Sequence, residues 1–213
     1  MVLHTNPFST NGRRVALVVA QLGLDIETNI IDFATGANKA PDFLAINPNG
    51  QVPALVDDDL TLWESNAIAQ YLCDVAREQG NDEAEALLPS DPGARADVMR
   101  WQCWQLAKWD DVTGPLLFEC VLKPMLMGAS PDPERVAKTQ EKFRAKAALL
   151  DAALEGREWF VGDGPTLADF AIATPLMYAE GAQMPVGEFK NLAAWLARVR
   201  ELPAWKATEP QRG

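Results

Sequence analysis

The chain has 213 residues, 48% of them hydrophobic and 23% charged, which is the balance of a globular protein with one large domain or two modest ones. A formal charge of −11 and a pI near 4.6 argue against nucleic acids and anionic membranes as partners. The sequence has no run of eighteen apolar residues, and its first residues have neither a basic region nor a long apolar segment. We therefore predict a cytoplasmic protein with no nucleic-acid or membrane partner.

The first eighty residues mix strand and helix patterns. Gly23 follows an apolar helical stretch and is a typical helix terminator, and Pro41 suits the first position of a short helix. Three aspartates at 57–59 separate two apolar runs, which predicts a β-hairpin. The predicted strands are 1–4, 26–31, 54–56 and 60–63, and the predicted helices are 14–22, 41–46 and 65–78. Residues 1–79 are thus expected to form an α/β domain in the order β-α-β, short helix, β-β-α.

The pattern changes after residue 79. Residues 80–92 are rich in acidic and turn-forming residues, which predicts a linker, and residues 93–213 have the pattern of helices and loops. Asp91 and Asp132 each precede a proline, the arrangement of an N-cap followed by a proline at the first helical position. Residues 166–169, Thr-Leu-Ala-Asp, form a predicted capping box for a buried helix. The second domain is therefore expected to be an all-α bundle.

Several kinds of site lack support in the sequence. Cys73, Cys103 and Cys120 are odd in number and widely spaced, so we predict neither disulfides nor a metal site. His4 is the sole histidine, and the chain has no G-x-S-x-G, P-loop or G-x-G-x-x-G motif. Hydrolase, nucleotide-binding and dehydrogenase functions are therefore not favoured.

Four segments of the first domain make chemical sense together: PFSTNGRR at 7–14, KAPDFL at 39–44, NPNGQVP at 47–53 and ESNAI at 64–68. Together they resemble the cytosolic glutathione S-transferases. The capping box at 166–169 extends the resemblance over nearly the whole chain.

Within that family, the P-x-S-x-x-x-R-R pattern at 7–14 is most similar to the serine-type, phi-like branch, whereas Asn11-Gly12 resembles the bacterial nu class. The resemblance implies a thioredoxin-like N-terminal domain with a mixed four-stranded sheet, a helical C-terminal domain and a homodimer. It also implies glutathione as co-substrate, without a prosthetic group.

The resemblance assigns the chemistry to Ser9 or Asn11. A free cysteine thiol has a pKa of about 8.5, and lowering the pKa of the glutathione thiol by about 2 units takes about 3 kcal/mol of preferential stabilisation of the thiolate. Ser9 lies between the first strand and the first helix, where its hydroxyl and a helix N-terminus could both act on the sulfur. A serine hydroxyl is too weak a base to remove the proton, so its role would be that of a donor. The amide of Asn11 is the alternative, and simple helix capping would also explain these residues.

The remaining part of the predicted site binds the glutathione backbone. Lys39 and Asn38 would hold the glycyl carboxylate, although phi-like members carry histidine in place of Asn38. Val52 would pair with the cysteinyl part because the Val52-Pro53 bond is expected to be cis. The γ-glutamyl carboxylate would lie at the helix that Ser65 begins, with Glu64 facing the ammonium group. The predicted glutathione-binding residues are Asn38, Lys39, Gln51, Val52, Pro53, Glu64 and Ser65.

The second domain is expected to supply a hydrophobic pocket, with Trp104, Lys108 and Phe118 as candidates, although aromatic stripes are more often core. The predicted function is attack by glutathione thiolate on hydrophobic electrophiles. Two alternatives stay open. One is a glutathione-dependent disulfide or peroxide reductase, favoured if Asn11 faces the sulfur, and the other is a non-catalytic ligand-binding protein.

Overall fold

The computed structural model describes residues 1–210, which fall into two compact units. One unit contains Met1–Ser90 and residues 201–210, and the other contains Asp91–Arg200. The division lies within the predicted linker 80–92, but that stretch also holds a short helix with Ala84 and Leu87 buried. The acidic composition of 80–92 therefore marks the outer face of a helix. The C-terminal segment also differs from expectation, because it belongs to the first unit.

The first unit is built on a mixed four-stranded sheet, as predicted. The strands are β1 (Val2–Thr5), β2 (Glu27–Ile30), β3 (Ala54–Asp57) and β4 (Leu60–Trp63). Their order in the sheet is β2-β1-β3-β4, with β1 parallel to β2 and antiparallel to β3. β3 and β4 form the predicted hairpin. Leu3 and Leu55 pair across the sheet and are buried, so the centre of the sheet forms part of the core.

Five of the eleven helices in the described residues belong to the first unit. They are α1 (Thr10–Leu22), α2 (Pro41–Ile46), α3 (Ser65–Glu78), α4 (Asp82–Leu87) and, at the C-terminal end, α11 (Pro203–Ala207). α1 begins four residues before the predicted start because Ser9 is its N-cap, and it ends at Gly23 with φ +63°, as predicted. α1 and α3 pack against each other, and both contain buried side chains, among them Leu17 on α1 and Leu72 on α3.

The second unit is helical, as predicted. Its helices are α5 (Pro92–Trp104), α6 (Asp110–Leu117), α7 (Lys123–Met127), α8 (Pro133–Ala153), α9 (Leu167–Ala173) and α10 (Lys190–Glu201), the last of which ends in the first unit. Two π-helical segments, Gln105–Trp109 and Phe118–Leu122, join α5, α6 and α7 into one helical run. Asp91 and Asp132 cap α5 and α8 as predicted. Within residues 1–210, no helix is both long and apolar enough to cross a membrane.

The capping box at the start of α9 is also part of the core. The Asp169 carboxylate accepts from the amide and the hydroxyl of Thr166, both at 2.9 Å, as the sequence predicts. It also accepts from the Trp195 indole at 2.8 Å and the Phe160 amide at 3.2 Å. Complete burial raises the pKa of Asp169 to about 6, while these four donors act in the opposite direction.

Candidate functional site

A buried asparagine shapes the turn between β1 and α1. Asn6 donates from its side chain to the Ile31 carbonyl at 2.9 Å, and its side-chain oxygen accepts from the Phe8 amide at 2.9 Å. Its own carbonyl accepts from the Ser9 amide at 3.0 Å. These bonds tie the turn to the end of β2 and fix where Ser9 enters α1.

Ser9 caps α1 with a hydroxyl that keeps its hydrogen for another partner. Its Oγ accepts from the Gly12 amide at 3.1 Å, which uses a lone pair. The hydroxyl hydrogen is not used by that bond and can be donated to an anion near the helix N-terminus, where the helix dipole also favours negative charge. Capping and thiolate stabilisation are therefore compatible roles for Ser9. Asn11, in the same first turn, is half-buried.

The start of α3 is a second helix N-terminus of the first unit at which the structure gathers polar side chains. Ser65, the first residue of the helix, is buried, and the exposed Glu64 before it has φ +76°. The Ser65 hydroxyl accepts from Nη1 of Arg14 at 2.8 Å, and the same nitrogen donates to the Asn66 side chain at 3.2 Å. Arg14 is itself buried, so the chain holds a guanidinium beside the N-terminus of α3. Arg14 belongs to the P-x-S-x-x-x-R-R motif, but no local pattern predicts this contact, which spans 51 residues.

The loop that precedes Val52 is held by asparagine side chains. The side-chain amide of Asn38, which was predicted to bind glutathione, donates to the Gly50 carbonyl at 2.9 Å. It therefore already has one hydrogen-bond partner within the protein. Lys39 Nζ lies 2.8 Å from the position that a Cβ on Gly50 would take. Gly50 has φ +61°, and any side chain there would be both strained and obstructed. The structure thus brings Asn38 and Lys39 together with the 47–53 segment.

A second asparagine fixes the next residues of this loop. Asn47 is buried and donates to the Gln51 carbonyl at 2.6 Å, while its side-chain oxygen accepts from the Asn49 amide at 3.1 Å. The Val52-Pro53 peptide bond is cis, as predicted. Val52 and Pro53 are buried and Gln51 is exposed.

The three pocket candidates have different environments within the helical unit. Trp104 is half-buried and stacks on Trp109, with ring centroids 6.0 Å apart. Lys108 is exposed, and Phe118 is 42% exposed. Trp101 and Trp109, in the same stripe, are core residues. Trp104 therefore contributes partly to the core, whereas Lys108 and Phe118 are accessible to a ligand.

The sole histidine is not part of this constellation. His4 Nδ1 lies 3.1 Å from the Asn29 amide nitrogen, on β1 and β2, and burial lowers its pKa. Nowhere in residues 1–210 do three or more His, Cys, Asp or Glu side chains cluster as metal ligands would. Cys73, Cys103 and Cys120 form no disulfide within the described residues. The candidate residues described above offer hydroxyls, amides, helix N-termini and a few charged side chains.

Comparison with known proteins identifies the family. Residues 1–74 match the family model for the glutathione S-transferase N-terminal domain, and residues 111–203 match the model for its C-terminal domain. A glutathione S-transferase of Hyoscyamus muticus is 34% identical over 98% of each chain. Glutathione S-transferase 3 of Zea mays is 36% identical, over 97% of this chain and 91% of the relative. The crystal structure of glutathione transferase F2 from Populus trichocarpa superposes with a TM-score of 0.88 at 25% identity, over 97% of this chain and 96% of that one. The resemblance found in the motifs is thereby confirmed, and the chain belongs to the glutathione S-transferase family.

Proposed function

We propose that this protein is a glutathione transferase that stabilises the glutathione thiolate with the Ser9 hydroxyl and directs it at hydrophobic electrophiles. The observation that carries the proposal is the Ser9 hydroxyl, which caps α1 through a lone pair and so keeps its hydrogen for the sulfur. Because the donor is fixed by the Asn6 turn before substrate binds, little reorganisation is needed as charge develops.

The rest of glutathione is proposed to lie across the first unit. Its γ-glutamyl carboxylate would accept from Ser65 and the first amides of α3, with the buried Arg14 adding positive charge beside it. The exposed carboxylate of Glu64 would pair with the α-ammonium group. Val52 would supply backbone hydrogen bonds to the cysteinyl residue, and Lys39 would bind the glycyl carboxylate. Pro53 and Gln51 would shape this strand-like contact.

For Asn38 we propose a positioning role in place of direct contact. Its amide donates to Gly50, two residues before Val52, so it links the lysine that would bind one end of glutathione to the segment that would bind the middle. In the helical unit, Trp104, Lys108 and Phe118 are the proposed contacts of the electrophile. The family membership also supports a homodimer, which light scattering on the purified protein would test.

The decisive experiment compares Ser9→Ala with Ser9→Thr. We expect Ser9→Ala to raise the pKa of the bound glutathione thiol by about 2 units and to lower the conjugation rate with a model aryl halide, whereas Ser9→Thr keeps a hydroxyl and part of the activity. Ser9→Ala also removes a helix cap, so Asp132→Ala, which removes the cap of α8, is the matched control and should leave the thiol pKa unchanged. An unchanged thiol pKa in Ser9→Ala would contradict the proposal.

The same assays test the two alternatives. If Asn11→Ala, rather than Ser9→Ala, abolishes activity, and the protein turns over a model disulfide faster than the aryl halide, the reductase function is correct. If the wild-type protein binds glutathione but turns over neither substrate type, it is a binding protein.

A further inference from the structure

The first turn of α1 is held by the C-terminal end of the chain. Arg13 lies in that turn and is 3% exposed. Its Nη2 donates to the Trp205 carbonyl at 3.0 Å, and its guanidinium carbon lies 4.0 Å from the centroid of the Trp205 ring. A guanidinium that stacks on a ring and also bonds the carbonyl of the same residue is fixed in orientation as well as in position.

Trp205 is itself firmly placed. It lies in α11, which packs on α1, and both Trp205 and Ala204 are buried. The Thr208 hydroxyl donates to the Ala204 carbonyl at 2.8 Å and secures the end of this short helix. Residues 201–210 belong to the same compact unit as the proposed glutathione site.

Arg13 is connected directly to Ser9. The Arg13 amide donates to the Ser9 carbonyl at 2.8 Å and closes the first turn. On its other side the turn contacts the end of β1, because a Cβ on Gly12 would lie 2.5 Å from Thr5 Oγ1 and 2.7 Å from the Asn6 carbonyl oxygen. The turn is therefore held between the β1 end and Trp205. Its orientation determines where the Ser9 hydroxyl and the free amides of α1 point.

We propose that Arg13 and Trp205 are positioning residues for the glutathione thiolate, acting through the first turn of α1. This inference rests on the proposed role of Ser9 and deepens it. Loss of the contact should raise the pKa of the bound thiol more than it weakens glutathione binding, because the proposed contacts at Ser65, Val52 and Lys39 lie on other elements. We expect a rise of about one unit, which is about a tenfold loss of thiolate below that pKa.

The test uses Arg13→Met, Trp205→Ala and the double variant in the full-length protein. The thiol pKa is read from thiolate absorbance against pH at saturating glutathione, and the dissociation constant is measured by calorimetry. Each single variant should raise the thiol pKa, with the dissociation constant changed by no more than about threefold. Because the carbonyl that accepts from Arg13 belongs to the backbone, Trp205→Ala removes only the ring contact, and the double variant should behave like Arg13→Met alone. Trp205→Phe keeps an aromatic ring as well as the backbone carbonyl, so the pKa of the glutathione thiol bound to it should stay near the wild-type value.

Trp159→Ala is the matched control. Trp159 is also buried and also lies beneath an arginine, with the Arg198 guanidinium carbon 5.7 Å from its ring centroid, but both belong to the other unit. The pKa of the glutathione thiol bound to Trp159→Ala should match the value for the wild-type protein. An unchanged thiol pKa in folded Arg13→Met, additive effects in the double variant, or an equal rise in Trp159→Ala would each overturn the inference.

Two further outcomes keep the proposals distinct. If Trp205→Ala does not fold, Arg13→Met and Trp205→Phe still decide, since the first must raise the thiol pKa and the second must not. If the wild-type protein does not lower the pKa of the bound glutathione thiol, the proposed function is wrong. If the wild type lowers this pKa and the Arg13 and Trp205 variants lower it equally, only the positioning role is wrong.

Discussion

Replacing Gly12 by alanine tests whether the first turn of α1 has room to move. The added Cβ would lie 2.5 Å from Thr5 Oγ1 and 2.7 Å from the Asn6 carbonyl oxygen, so the backbone oxygen would have to retreat by about 0.7 Å to reach ordinary contact. Overpacking of this kind costs about 1–3 kcal/mol, and alanine regains about 0.5–1 kcal/mol of helix propensity over glycine. We expect Gly12→Ala to lower the free energy of unfolding by about 1–2 kcal/mol.

The assay is urea unfolding followed by circular dichroism, with glutathione affinity measured on the same samples. Gly187→Ala is the control, because Gly187 is exposed, lies in a helical turn and has no atom within 4 Å of its virtual Cβ. That variant should be unchanged or more stable by up to about 1 kcal/mol. A Gly12→Ala protein that unfolds at the same urea concentration as wild type, with unchanged glutathione affinity, would refute the reasoning that the turn is tightly held.

Three further predictions concern buried polar contacts. Arg14→Met should weaken glutathione binding at least about tenfold in calorimetry, because it removes the buried cation that bonds Ser65; an unchanged dissociation constant would contradict this. Asn38→Ala should leave Gly50 without its side-chain donor and raise the KM for glutathione, whereas Asn38→Gln should rescue it partly if the positioning role is right. Burial raises the pKa of Asp169 from 3.8 to about 6, so between about pH 4 and 6 the folded state holds a proton that the unfolded state has lost. The contribution of this proton to the free energy of unfolding is lost as the pH rises through about 6. Relative to Asp169→Asn, the wild type should therefore gain about 1 kcal/mol in urea unfolding between pH 7 and pH 5, and parallel pH profiles for the two proteins would contradict this.

Most of the fold followed from local sequence signals. Gly23, Asp91, Asp132 and the capping box at 166–169 each act where the sequence predicts, because caps depend on residues a few positions apart. The hairpin was predicted from its turn residues, whereas the mixed sheet was implied by the family resemblance. The start of α1 was missed by four residues, since Ser9, Thr10 and Asn11 suit both a loop and a helical first turn.

What the sequence did not predict depends on distant pairs. The contact of Arg14 with Ser65 spans 51 residues, and that of Arg13 with Trp205 spans 192, so no periodicity could indicate them. The bond from Asn38 to Gly50 joins residues 12 positions apart, on either side of α2, and Gly50 has a left-handed backbone. For the same reason the C-terminal segment was assigned to the helical domain, although its buried indole packs in the first unit.

The two consecutive arginines of the P-x-S-x-x-x-R-R pattern connect α1 to two different places. Successive residues of an α-helix point about 100° apart, so Arg13 and Arg14 leave α1 in different directions. Arg13 reaches Trp205 near the C-terminus, and Arg14 reaches Ser65 at the start of α3. A tilt of the whole of α1, unlike a change confined to its first turn, would therefore disturb the proposed thiolate donor and the proposed γ-glutamyl seat together. Under these proposals Arg13 orients the turn that carries the donor, and Arg14 ties α1 to the helix that would bind the γ-glutamyl end of glutathione.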